Sequence, residues 1–255
     1  MVLLPAALAA AVLQPTVAVV DTGADLRVPV IAAKQPAVYD VRSRTHDVRD
    51  RNGHGTRVAR IVARESGGAR LMIVRAGSSS GAFSDRSEAT AIRYAVDHGA
   101  RIVNLSLGGP RTSAVERSAI RYAAARGALV VAAAGDDYAT RPEYPAALLG
   151  PNGLAVAAVL RDGTRAPFSN TGSWVSLAAP GENGTSFAAP LVSAAAARVW
   201  AANPLLSVRE VVAVLQETAS GRGVRTDDLG YGVVDVGAAV ARAQAMVSGS
   251  AEGGA

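Results

Sequence analysis

The strongest constraint on the fold is a rhythm of short, continuous apolar runs separated by segments of helical spacing. The runs are Thr16–Val20, Arg70–Arg75, Arg101–Leu105, Ala128–Ala133 and Leu154–Leu160. They lack the alternation of a strand with one wet face, so each is predicted to be buried on both faces. Between them lie helical patterns at His54–Arg64, Ser84–His98 and Ser113–Arg126. The second gathers Ala91, Ile92, Ala95 and Val96 on one face, and the third does the same with Val115, Ala119, Ile120 and Ala123. Gly99 and Gly127 stop these two helices just ahead of an apolar run. Further helices are predicted at Thr185–Asn203, Ser207–Thr218 and Val236–Val247. Asp235 serves as N-cap of the last, and Pro190 is assigned to the first turn of its helix, where a missing amide is tolerated. Strands linked through helices imply an α/β domain with a mostly parallel central sheet flanked by helices, three layers in all.

Composition narrows what such a domain can do. With 49% apolar and 18% charged residues in a chain of 255, there is enough apolar surface for one sizeable core. Aromatics are only 4%, so that core must be close-packed from small side chains. The lack of cysteine excludes disulfides, thiolate metal sites and cysteine nucleophiles. Three histidines, His46, His54 and His98, argue against a multi-histidine metal centre, and no metal or cofactor is expected. The net charge is +5, and every basic residue except Lys34 is arginine. These arginines are scattered among acids, the pattern of a solvated surface and not of a nucleic-acid footprint.

Residues 2–13 are apolar but too few, and interrupted by Pro5, to span a bilayer, which needs about 20 helical residues. No basic residue precedes them as in a signal peptide. The chain is therefore read as an N-terminal apolar segment (1–15, a signal remnant or a packed segment), one domain (16–247) and a flexible tail (248–255). Nothing in the sequence demands an oligomer, so a monomer is expected.

In open α/β sheets chemistry collects beyond the carboxyl ends of the strands. Three polar residues stand out there, and each alone has an ordinary reading. Asp21 follows the run TVAVV and precedes Thr22 and Gly23, which is also plain turn chemistry. His54 lies between Gly53 and Gly55 at a helix start, with Thr56 placed to satisfy exposed amides. Ser186 opens an alanine-rich helix, where free amides and the positive end of the dipole favour a negative oxygen, but where an N-cap serine is equally at home.

Together, Asp, His and Ser in that chain order could form an orienter, a base and a nucleophile. The sequence here resembles the subtilisin-like serine proteases, the subtilases. The resemblance is carried by VAVVDTG at Val17–Gly23, HGTRVA at His54–Ala59 and GTSFAAP at Gly184–Pro190. It extends through Arg101–Gly109, Ala128–Gly135, Tyr144–Ala146 and Phe168–Gly172, and so from about Val17 to Val240.

The resemblance implies a three-layer subtilisin-like fold and peptide-bond hydrolysis through an acyl-enzyme. Ser186 would attack, His54 would take its proton, and Asp21 would hold the imidazole. The Ser186 amide would lie near the oxyanion. Ser106, Leu107 and Gly108 would pair with an extended peptide or protein substrate, with Ser79, Ser80 and Gly81 as the opposite edge. Ala133, Ala134 and Gly135 would wall the primary specificity pocket, and Asp137 on its rim would favour a basic or polar residue before the scissile bond. The resemblance further implies a secreted or cell-envelope protein.

Several positions depart from the family pattern. Asp136 stands where the family has an asparagine that donates to the oxyanion. A carboxylate cannot donate unless protonated, so activity that is weak near neutrality and improves toward acid is expected. Only Glu182 and Asn183 separate Pro180-Gly181 from Gly184, where relatives carry a longer hairpin. No N-terminal pro-segment precedes Val17, so the chain is read as a mature fragment, a member without a pro-segment, or one dependent on a pro-segment or chaperone in trans. Arg57 and Arg60 replace smaller residues, and the short loop ESGGAR lacks the insertion that holds calcium in relatives, so no metal is expected there. Asn104 fits the N-x-S pattern but lies in a predicted buried strand and is given no role. The rival to an endopeptidase is an impaired or inactive subtilase-fold protein that binds peptides or partners, a reading supported by Asp136 and the missing hairpin. A nucleotide-binding protein would need a glycine-rich phosphate loop, which the chain lacks.

Overall fold

The computed structural model describes residues 14–252. Seven strands, β1 (Thr16–Asp21), β2 (Ala37–Asp40), β3 (Arg70–Arg75), β4 (Ile102–Leu105), β5 (Leu129–Ala133), β6 (Gly153–Val159) and β7 (Leu177–Pro180), form one sheet. Its order is β2-β3-β1-β4-β5-β6-β7, and every pairing between these strands is parallel. The helices are α1 (Pro29–Ala32), α2 (His54–Glu65), α3 (Asp85–Asp97), α4 (Ala114–Ala125), α5 (Thr185–Ala202), α6 (Val208–Glu217) and α7 (Val236–Glu252).

Continuous apolar runs make both faces of the sheet sticky, and the helices divide between them. Val17 and Val19 of β1, Ile73 of β3 and Val131 of β5 pack with Val58 and Val62 of α2 and with Ala188, Val192 and Trp200 of α5. The alternate residues Ala18, Val20, Val74, Val103 and Ala132 pack with Ala91, Ile92 and Ala95 of α3 and with Ala119, Ile120 and Ala123 of α4. This is the predicted three-layer arrangement, with the small helix residues allowing close approach to the strands. Helix α5 is buried along most of its length, which is why its sequence is alanine-rich with little amphipathic pattern.

The chain leaves β1 toward β3 and β2 on one side and returns through β4 to β7 on the other. β1 therefore sits at the topological switch point, and its carboxyl end opens onto the crevice where such sheets bind ligands.

Three elements were not foreseen. β2 is a partly exposed edge strand with no apolar run, β7 is only four residues closed by a proline, and α1 is a single turn. Asp235 does cap the last helix, through Ala238 N at 2.9 Å. That helix runs on to Glu252, past Ser248. Pro190 is the sixth residue of α5, beyond the first turn to which it was assigned, and the consequence falls on the carbonyl four residues before it.

Candidate active site

Asp21, the last residue of β1, is fully buried. Its Oδ1 accepts from the Thr22 amide at 2.7 Å, and His54 Nδ1 lies 2.9 Å from Oδ1 and 3.0 Å from Oδ2. An ionised carboxylate has no proton to give, so Nδ1 is the donor and Nε2 is left as the free ring nitrogen. Burial pushes the imidazole pKa down, but the hydrogen bond and charge of Asp21 outweigh it and hold His54 above its ordinary value; Arg57 acts against this and Asp50 with it. Glycine is required on either side. Gly53 has φ 92°, and a Cβ on Gly55 would lie 2.2 Å from the Gly23 carbonyl oxygen and 3.0 Å from Asp21 Oδ1.

The placement of His54 depends on a residue that sequence reasoning missed. Gly53, at the N-cap of α2, has no side chain to cap with, and Asp50 takes over. Its Oδ2 accepts from the Thr56 amide at 2.8 Å and the Thr56 hydroxyl at 2.7 Å, and its Oδ1 from Gly53 N, Asn52 N and Thr22 Oγ1 at 2.8–3.0 Å. Despite the cost of burial, these donors hold the Asp50 carboxyl below the ordinary value. An acid three residues ahead of the Gly-His-Gly run, with threonine three residues after the N-cap, was the available signal.

Ser186 is the second residue of α5, where first-turn amides have no intrahelical acceptor. Its Oγ donates to the Ser106 carbonyl at 3.3 Å; among the described residues it makes no hydrogen bond to His54. Ser106, whose carbonyl takes the Ser186 hydroxyl, lines the same cavity as His54. Pro190 has no amide to give the Ser186 carbonyl, and Ser106 Oγ donates to that oxygen instead, at 2.7 Å. Ser106 Oγ in turn accepts from Asn104 Nδ2 at 3.0 Å, and Asn104 Oδ1 accepts from Ser193 Oγ at 2.9 Å. Asn104, given no role from sequence, thus ties β4 to α5 through a fully buried polar chain.

The link from β7 to α5 is a four-residue turn closed by Gly184 N to Gly181 O at 3.0 Å. Asp136 braces the start of α5: its Oδ1 accepts from the Thr185 amide and hydroxyl, each at 2.8 Å, while Thr185 Oγ1 accepts from Gly135 N at 3.1 Å.

Two cavities meet at Leu107 and Gly108. One, about 360 Å³, has His54, Ser80, Gly81, Phe83 and Ser106 in its walls. The other, about 190 Å³, is lined by Ser186, Ala133, Gly135, Asp136, Asp137, Thr185 and Glu143. Ser80 and Gly81 thus reach the cleft while Ser79 does not line it, and the three residues sit in a tight turn closed by Gly81 N to Ser78 O at 3.1 Å. Ala134 does not line either cavity; it is buried with Ala157, Val159, Val175 and Ala178, and its amide pairs with Val156 O. Asp137 lies on the rim, half-exposed and 3.3 Å from Arg141. Glu143, which the sequence did not single out, is buried at 5% exposure. Burial first, then the charges of Asp137 and Asp136, push its pKa up to about 7, against the pull of Arg141.

A parallel sheet with helices on both faces, its carboxyl edge carrying Asp21, His54 and Ser186 in that chain order, is the arrangement of the subtilisin-like class. The chain belongs to the Subtilase family, whose model matches residues 14–234. It is 34% identical to a thermophilic serine proteinase of Bacillus sp. (strain AK1) over 81% of this chain and 57% of that protein. It is also 34% identical to a cell wall-associated protease of Bacillus subtilis over 87% of this chain and 26% of the relative. The chain thus spans about half or less of these relatives. Among solved structures, a cold adapted subtilisin-like serine proteinase superposes with a TM-score of 0.75 at 28% identity, covering 86% of each chain.

Proposed function

We propose that this chain is a serine endopeptidase that hydrolyses peptide bonds through an acyl-enzyme. The observation that carries this reading is the Asp21–His54 pair, which leaves Nε2 free beside a cavity lined by Ser106, the residue whose carbonyl takes the Ser186 hydroxyl. In the reaction the Ser186 hydroxyl leaves the Ser106 carbonyl, gives its proton to His54 Nε2 and attacks the scissile carbonyl. His54 then returns the proton to the leaving amine, and Asp21 stabilises the imidazolium between the two steps. Water deacylates Ser186 by the same route. The Ser186 amide, at the positive end of α5, faces the developing oxyanion. The substrate backbone runs beside Ser106–Gly108, with its primary side chain in the 190 Å³ cavity against Ala133 and Gly135. The relatives' names speak of proteases, one of them cell wall-associated, and a secreted or cell-envelope site of action fits them.

A second reading, a peptide-binding protein without turnover, is favoured by Asp136. Its carboxylate faces the same cavity as Ser186 and has no proton to offer an oxyanion. Labelling by a fluorophosphonate probe between pH 5 and 9, beside Ser186→Ala, separates the two. Labelling that requires Ser186 establishes an activated nucleophile. A folded protein that is not labelled at any of these pH values leaves only the binding reading.

A further inference from the structure

Glu143 has no part in the chemistry above, yet its placement is built. A Cβ on Gly108 would stand 2.9 Å from Glu143 Oε1, and one on Gly135 would stand 3.0 Å from its Cγ. Its side chain therefore lies against both glycines, which line the 190 Å³ cavity with it. Its Oε2 is buried and has no hydrogen-bond partner. The other acids of the cavity are occupied, Asp136 by Thr185 and Asp137 by Arg141. A carboxylate buried without a counter-charge is costly unless something supplies one, and here Ser186 lines the same cavity.

We propose that Glu143 forms the floor of the primary specificity pocket and selects a cationic side chain, arginine or lysine, in the residue whose carbonyl Ser186 attacks. This rests on the endopeptidase reading. Leu107, Ala133 and the two glycines offer apolar and backbone surface to the methylene stem, while the charged head meets the carboxylate. The preference depends on pH. The charged groups around Glu143 are Asp136 and Asp137, which oppose its ionisation, and Arg141, which favours it. The carboxyl therefore ionises near pH 7, and selection for a cation strengthens from pH 6 to pH 8.

The competing account is a neutral Glu143, bridged by water to the equally unpartnered Nδ2 of Asn170, that takes no part in selection. Four peptides identical except for Arg, Lys, Leu or Glu before the scissile bond decide between them. A ratio of kcat/KM for Arg over Leu cancels His54 and Ser186, which act on both substrates alike. At pH 8 the ratio is expected to be at least tenfold, to fall at least tenfold in Glu143→Gln, and to rise between pH 6 and 8 only when Glu143 is present. A ratio near one, or one unmoved by Glu143→Gln in a variant that melts cooperatively, overturns the proposal. If no peptide is cut, the endopeptidase reading falls, and benzamidine titrated calorimetrically into Ser186→Ala decides this one. One-to-one binding weakened at least tenfold by Glu143→Gln sustains the cationic pocket, and no binding overturns it.

Discussion

Asp136 Oδ1 accepts both hydrogen bonds that Thr185 can donate, from its amide and from its hydroxyl, each at 2.8 Å. Asp136 is thus an acceptor that caps the helix bearing Ser186. Asparagine keeps that acceptor and replaces Oδ2 by an amide donor on the cavity side. Asp136→Asn is therefore expected to raise kcat at pH 7–8 by roughly 10- to 1000-fold with little change in KM, since the new bond is made chiefly in the transition state. Steady-state kinetics with active-site-titrated protein check this; an unchanged kcat means another group already donates.

Asp50 holds the first turn of α2 and with it the position of His54. Asp50→Ala leaves several amides without an acceptor. It should cost about 1–2 kcal/mol in urea unfolding, as loss of a helix cap does. It should also lower kcat by roughly 100-fold, because a displaced base is not compensated by binding. Loss of stability without loss of kcat would confine Asp50 to a structural role.

The charge of Arg57 disfavours the imidazolium of His54. Removing it makes protonation easier, so in Arg57→Gln the acid limb of kcat/KM moves to higher pH. In Asp21→Asn the favourable charge is lost, and the limb moves to lower pH with activity reduced about 10⁴-fold. A pH–rate profile of each variant checks the two opposite directions.

Glu88 and Glu116 are buried at 5% and 4% exposure between α3 and α4, each with one carboxylate oxygen unpartnered. Burial first, then the charges of Glu116 and Asp85, push Glu88 up to about 8, and burial raises Glu116 as well. The folded state then holds protons that the unfolded chain has already lost above about pH 4.5, so stability falls as pH rises from 5 to 8. The fall is on the order of 2–4 kcal/mol. Glu88→Gln should remove much of it. Calorimetric melting of Ser186→Ala protein, which excludes self-digestion, should show a smaller Tm difference between pH 5 and 8 with Glu88→Gln than without.

Five strands and six helices could be read from the chain because burial on both sheet faces writes itself as unbroken apolar runs, and packing on one face as helical periodicity. β2 and β7 could not, since an edge strand and a four-residue strand bury too little to leave a pattern. Asp21, His54 and Ser186 were legible because each sits in a local motif that glycine and helix-start chemistry demand. Glu143 was not: its neighbours Gly108 and Gly135 are far from one another in sequence, and nothing local distinguishes it from a surface acid.

The sequence by itself determined the layers, the strand-to-helix rhythm and the order of Asp21, His54 and Ser186, all of which follow from contacts within a few turns of chain. The tertiary structure decided where the polar side chains spend their hydrogen bonds. Asp136 turned to Thr185, Ser186 turned to Ser106, and Glu143 was left unpaired between two glycine walls. Those outcomes depend on which distant segments the sheet brings together, because a polar atom can pair only with a partner that packing places within about 3 Å of it.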